Sequence, residues 1–484
     1  MTYNRSIALN DIETQMEALS TAPQPSNAHI RLPVELLQTI FSSTIDSSRF
    51  TIPGGFAGDQ RVRITHVCSY WRAVALQTPQ LWDDIVIDID SRRDVFSIAA
   101  TVLSRTPSSP KAITVMCKAY QHRAPKEPTA RQFLDQFVLP FSSSIKKLRL
   151  VVPFPYITLL LSSHTIEFPI LESLSISPAS YGILTEPHLT ASSKLKLPRL
   201  TAVEISVPIR RTEIADAFLN TVQSSRLTTL AITSPLPVDV CFHILSDCTH
   251  LKACGIYLDR IENRQTQLNP KPIIVLPHLE RFHIRYSSKT GFQTFLAHFV
   301  LPSIKDLALK SRIDGFGWTR RISEILLKRC GPSLEHLYIA SSAFCHNRFS
   351  LEGLDEVLDK YALTLQRLYI PLTVTFEPSR LDSSEVRRLV SRDWCPNLRS
   401  LSLEYCSSMS ERMAAVMDGV LDAEAHGRRP VEELLLNVGY PEWGKSRTVS
   451  ALGRKFKTFD VNCYQTFVTF DSKALEQEWF GYYG

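Results

Sequence analysis

Arginine, histidine and tyrosine recur at two fixed places in a hexapeptide of the form apolar-x-x-apolar-x-apolar. In Leu279-Glu-Arg-Phe-His-Ile284 those places hold Arg281 and His283. They hold His336 and Tyr338 in Leu334-Glu-His-Leu-Tyr-Ile339, and Arg367 and Tyr369 in Leu365-Gln-Arg-Leu-Tyr-Ile370. The copy Ile304-Lys-Asp-Leu-Ala-Leu309 contributes Asp306 and Ala308, and Leu398-Arg-Ser-Leu-Ser-Leu403 contributes Ser400 and Ser402. The chemistry these side chains offer is recognition. Arginine presents a planar fork to carboxylate or phosphate, and tyrosine adds rigid contact area with a polar tip. Both types are enriched at binding hot spots. Arg281, His283, His336, Tyr338, Arg367 and Tyr369 are therefore the candidate substrate-binding residues, suited to an acidic or phosphorylated peptide segment. Asp306 in their midst counts against a purely anionic ligand, and a solvated sheet face is the competing reading.

Catalytic chemistry finds no foothold. The sequence has no phosphate-cradling Gly-rich loop, no G-x-S-x-G elbow and no H-E-x-x-H. Its 13 histidines are dispersed, and His243, His250 and His278 fall on different elements. The 10 cysteines include no C-x-x-C pair, and Cys241, Cys248 and Cys254 lack histidines at zinc spacing. They read as buried reduced thiols, which places the chain in cytoplasm or nucleus. Asp83-Asp84 precedes a strand and reads as a solvated edge, not as a catalytic dyad. The expectation is a protein without catalytic residues, cofactor or metal.

The elements that would position the recognition residues follow from the repeat. Further copies start at Leu171, Trp82, Ile145, Leu200, Leu227, Leu251, Val431 and Phe456, with a poor one around Ile113. From Ile145 to Phe456 neighbouring copies lie 24 to 33 residues apart. The last four residues of each copy alternate like a short strand, and parallel strands must be joined by returns on one face. Convex helices are predicted over 212–222, 318–330 and 351–361. The period is that of a leucine-rich-repeat-like array. The fold class is thus an irregular α/β solenoid, with parallel strands and convex helices, behind a small all-α domain. About fourteen strands at ~4.8 Å would run roughly 60 Å, the residues between the apolar positions lining the concave sheet. The Asn or Cys usual just past such strands is mostly missing, Cys406 being the one clear case, which predicts an unevenly curved array.

Ahead of the repeats, Ile12, Met16 and Leu19 stand at helical spacing, and 21–27 reads as a linker. In His29-Ile-Arg-Leu-Pro-Val-Glu-Leu-Leu-Gln-Thr-Ile-Phe41, Pro33 suits a first helical turn. Leu36, Leu37, Ile40 and Phe41 form an apolar stripe behind it. A second helix is predicted over 62–76, with Ile64, Val67, Cys68, Trp71, Val74 and Ala75 on one face. Leu32-Pro33, Ile40-Phe41, Val67-Cys68-x-x-Trp71-Arg72-x-x-Ala75 and Pro79-x-Leu81-Trp82 together resemble the F-box domain, in the variant common in large fungal families. The loop Ser42–Gln60, with Pro53-Gly54-Gly55, is longer than the family's usual connection. That resemblance implies docking on a Skp-type adaptor and, through it, on a cullin–RING ubiquitin ligase. It assigns Leu32, Pro33, Leu36, Leu37, Ile40, Phe41 and Trp71 to the docking face, whereas Val67, Cys68 and Val74 read as local core from their own apolar spacing.

The rest of the chain fits this division. At 484 residues it is too long for one core, and 44% hydrophobic with 21% charged residues is ordinary for a globular protein. A net charge of +6 without a basic cluster argues against nucleic acid. The polar start argues against secretion, and no apolar run approaches the roughly 18 residues of a membrane span. The expected organisation is 1–28 as helix and linker, 29–81 as the F-box-like domain and 82–470 as repeats. Trp479, Phe480, Tyr482 and Tyr483 mark 471–484 as an aromatic tail or cap. The resulting expectation is a substrate-recognition subunit of a Skp–cullin–F-box ligase with an unknown protein substrate. The alternative is an interaction scaffold that is not coupled to ubiquitin transfer.

Overall fold

The computed structural model describes residues 32–45, 49–52, 59–89, 95–104, 109–117, 127–162, 166–178, 195–206, 224–258, 273–311, 318–341, 352–372, 383–405, 409–428, 430–438, 455–456 and 458–463. The chain divides into two compact units, Met1–Ala119 and Tyr120–Gly484. The predicted helices over 7–19 and 212–222, Cys406 and the aromatic tail lie outside the described residues.

The first unit opens with helix α1 (Val34–Thr44), followed by strand β1 (Phe50–Ile52), helices α2 (Gln60–Thr65) and α3 (Ser69–Leu76), and strand β2 (Asp84–Asp88). Helix α4 (Val95–Leu103) and strand β3 (Lys111–Met116) follow. Strands β1, β2 and β3 pair in parallel. The helix predicted over 62–76 is thus two helices. Its break lies at Cys68, whose extended backbone (φ −159°, ψ 171°) caps α3 while its Sγ accepts from the Trp71 amide at 3.4 Å. The apolar spacing runs on through this break because Val67 and Cys68 sit where a continuous helix would also place them. Pro33 stands one residue ahead of the helix it was expected to enter, its carbonyl accepting from the Leu36 and Leu37 amides at 3.1 Å.

In the second unit every described copy of the hexapeptide contributes a strand. These are β4 (Ile145–Val152), β5 (Ser173–Pro178), β6 (Ala202–Ile205), β7 (Thr229–Leu236), β8 (Ala253–Leu258) and β9 (Arg281–Tyr286). They continue as β10 (Asp306–Ser311), β11 (His336–Ser341), β12 (Arg367–Leu372), β13 (Ser400–Tyr405), β14 (Glu433–Val438) and β15 (Thr458–Cys463). Neighbours in the chain are neighbours in the sheet, all parallel. Among the described residues one register irregularity interrupts the ladder, between Ile232 and Pro235.

Alternation sends Phe282 and Ile284, Leu307 and Leu309, Leu337 and Ile339, and Leu401 and Leu403 to one buried face. Helices fill that side. Lys289–Ala297 buries Phe292, Phe295 and Leu296, and Phe295 meets Phe282 at 6.2 Å and Phe299 at 4.6 Å between ring centroids. Helices Arg320–Arg329 and Leu354–Tyr361 occupy the predicted spans 318–330 and 351–361. Helices Phe154–Ser162, Val238–Ser246, Ser383–Val390 and Met409–Ala425 continue the pattern elsewhere.

Register is held at the entry to each strand. The carbonyl of Glu280 accepts from the Lys305 and Asp306 amides, that of Lys305 from Glu335 and His336, and that of Glu335 from Gln366 and Arg367. In-register parallel stacking brings equivalent side chains together, so like charges there would repel. The sequence alternates them as Lys252, Glu280, Lys305 and Glu335, with Lys305 lying 3.6 Å from Glu280.

Candidate functional site

Four of the docking candidates, Leu36, Leu37, Ile40 and Phe41, sit on α1, a helix that is apolar on two faces. From α1, Leu37 and Phe41 point into the unit and are fully buried. Phe41 meets the half-buried Trp71 ring edge-on, 5.2 Å between centroids, joining α1 to α3. The Tyr70 hydroxyl donates to the Leu32 carbonyl at 2.9 Å and holds the start of α1 against α3. The other face goes to solvent: Leu36 is 51% exposed and Ile40 41%. Val67, expected in the core, is 55% exposed beyond the end of α2, because the break at Cys68 turns it out.

Leu37 and Phe41 are therefore core residues of the module and drop out of the face that a partner could reach. Leu36 and Ile40, one helical turn apart, remain on it. Leu32 is half-buried and Pro33 exposed at its upper end. Apolar side chains at this exposure lower the free energy when a partner covers them.

The predicted recognition residues come together on the sheet face opposite the helices. One ladder runs Arg281, Asp306, His336, Arg367, Ser400, and the next runs His283, Ala308, Tyr338, Tyr369, Ser402. His336 Nδ1 meets the Asp306 carboxylate across the strands, so the acidic residue in the middle is engaged within the ladder. Tyr338 and Tyr369 stack at 4.3 Å between centroids, 26° from parallel. Arg367 is exposed, and Arg281, His336 and Tyr338 are half-buried.

His283 and Tyr369 depart from the expectation, being buried at 3% and 5% exposure. Burial pulls the His283 imidazole down to about 4, with Asp306 opposing that shift and Arg281 and Arg285 adding to it. His283 is thus neutral near pH 7 and supports the ladder without carrying charge on its surface. Of the six candidates, Arg281, His336, Tyr338 and Arg367 keep exposed surface on this face.

Asp83 and Asp84 divide. Asp84 is exposed beside Arg49 at 3.5 Å, as a solvated edge would be. Asp83 accepts from Lys111 Nζ at 3.1 Å and from Ser109 Oγ at 2.5 Å. The Lys111 side chain is fully buried, and desolvation holds its ammonium below the usual range against the pull of Asp83. Sequence gave no signal for this pair, since 28 residues separate its members. Cys241, Cys248 and Cys254 are buried, and burial pushes the Cys248 thiol up to about 12. No group of three or more metal-ligating side chains occurs among the described residues. No helix among them is long and apolar enough to cross a membrane.

The F-box-like family model matches residues 30–88, a span that takes in α1, the exposed apolar face, α3 and strand β2. No curated protein matches the chain. The chain thus carries an F-box-like domain at its N-terminal end, followed by a large parallel-strand sheet with helices.

Proposed function

We propose that this chain is the substrate-recognition adaptor of a Skp–cullin–F-box ubiquitin ligase, a non-catalytic subunit working in cytoplasm or nucleus. The observation that carries the reading is the outward row of Leu36 and Ile40 on α1, inside the F-box-like domain. Leu37 and Phe41 already supply the helix with its core, so the row exceeds what folding needs. An apolar helix face of that kind fits a groove on a partner. That partner is a Skp-type adaptor, and through it a cullin–RING ligase.

The division of labour follows 29–81 for docking and 82–470 for selection, with 471–484 as an aromatic tail or cap. The parallel array is read as an irregular leucine-rich-repeat-like solenoid, and its open face binds a protein substrate. Arg281, His336, Tyr338 and Arg367 supply cationic and aromatic contacts for an acidic segment of that substrate.

Affinity purification of the full chain tests the reading. Recovery of the Skp-type adaptor together with a cullin supports a ligase subunit. Adaptor without cullin supports a scaffold uncoupled from ubiquitin transfer, and recovery of neither refutes docking.

A further inference from the structure

Strand β1 lies in the loop that separates the docking helices, and its pairing has a topological consequence. It runs parallel to β2 in the register Phe50 with Ile85, Thr51 with Val86 and Ile52 with Ile87. Parallel neighbours cannot be joined by a hairpin; the chain must cross over. The crossover here consists of α2, α3 and the turn Pro79–Leu81. The second half of the docking module is therefore also the helical return between the first two strands of the sheet.

Side chains close the connection from both helices. Phe50 and Ile52 are fully buried. The Phe50 ring stands edge-on to Trp82, 5.2 Å between centroids at 86°. Trp82 Nε1 donates to the Ala75 carbonyl in the last turn of α3 at 2.9 Å. From α2, the Arg61 guanidinium lies 5.8 Å from the Phe50 ring centre, steered by Asp59, which also caps that helix. The next residue, Asp83, ties the same point to β3 through Lys111, Ser109 and the Ala112 amide, which reaches its carbonyl at 2.7 Å.

We propose that Phe50, Ile52 and Trp82 are positioning residues: they brace the docking helices against strands β1–β3, so that a partner seated on α1 and α3 is held in fixed orientation to those strands. An inserted loop without such pairing would leave the helices to swivel on the chain. The consequence for a ligase rests on the docking reading above, whereas the brace itself rests on β1.

Hydrogen exchange on the full chain, with and without a purified Skp-type adaptor, tests the proposal. In wild type, docking is expected to slow exchange in β2 as well as in α1 and α3. In Phe50→Ala with Ile52→Ala the adaptor still binds, but β2 no longer responds to it. Its amides are then expected to exchange at least about a hundredfold faster, as loss of a buried aromatic and a buried isoleucine implies. Adaptor-dependent protection of β2 that survives in the variant overturns the brace, as does wild-type docking that never reaches β2. Should the adaptor fail to bind wild type, the docking reading falls and the free chain still decides: α3 and β2 must loosen together in the variant, and an unchanged α3 refutes the brace. Should the double variant fail to fold, Trp82→Phe keeps an aromatic ring beside Phe50 but removes the indole bond to Ala75 and part of the buried ring, and is expected to weaken the same coupling.

Discussion

Replacing Leu36 and Ile40 together by aspartate attacks the docking face without touching the core beneath it. Each side chain is about half exposed in the free chain, at 51% and 41%, so each has about half of its apolar surface left to bury on a partner. Full burial of Leu or Ile contributes roughly 1.5–3 kcal/mol, so the two together lose about 1.5–3 kcal/mol on docking. Placing two unpaired carboxylates in the same apolar contact costs several kcal/mol more. A combined loss of about 5 kcal/mol or more weakens binding by over three orders of magnitude.

Stability should respond little, since surface substitutions cost about 0.5 kcal/mol each. Isothermal titration of purified Skp-type adaptor into the full chain measures the first quantity, and thermal unfolding measures the second. Binding that persists within tenfold of wild type would refute the assignment of this face. A large fall in melting temperature would refute the division of α1 into inner and outer rows.

Three further outcomes are expected. Phe41→Ala, on the inner row, should destabilise the first unit by about 3–5 kcal/mol, seen as faster exchange in α1 and α3. Arg281→Glu with Arg367→Glu should abolish substrate capture in proximity labelling while adaptor binding stays intact; an unchanged partner list would move recognition elsewhere. His283 gives a pH signature: its folded value of about 4 lies below the ordinary 6.5, so between those limits the unfolded chain binds the extra proton. Stability from this group is full above about pH 6.5 and is lost as pH falls toward 4, a change of about 3 kcal/mol. His283→Gln should remove that component of the pH dependence of unfolding.

The strands were legible because each copy carries two signals at once, an alternating apolar pair and a recurring distance to the next copy. Leu337 with Ile339 and Leu368 with Ile370 are buried where the motif puts them. The same alternation placed Arg281 and His336 on one face. It could not tell that His283 and Tyr369 would be buried there, because burial on an outward face depends on what covers it. In α1 the limit was of another kind. Leu36 with Ile40 and Leu37 with Phe41 are both pairs at helical spacing, and periodicity alone does not say which pair a core claims.

The break at Cys68 was hidden because the apolar spacing is continuous across it. The three-residue strand β1 was hidden because Phe50-Thr51-Ile52 is too short to alternate and abuts Pro53-Gly54-Gly55. Its partner lies beyond two helices, and pairing at that distance leaves no local mark.

The most direct test of the docking claim is reconstitution from purified parts. The full chain, a Skp-type adaptor and the N-terminal region of a cullin are mixed and separated by size-exclusion chromatography with light scattering. A single peak with the mass of one copy of each is expected, collapsing to separate peaks for Leu36→Asp with Ile40→Asp. A wild-type chain that elutes alone beside an adaptor–cullin complex would contradict it.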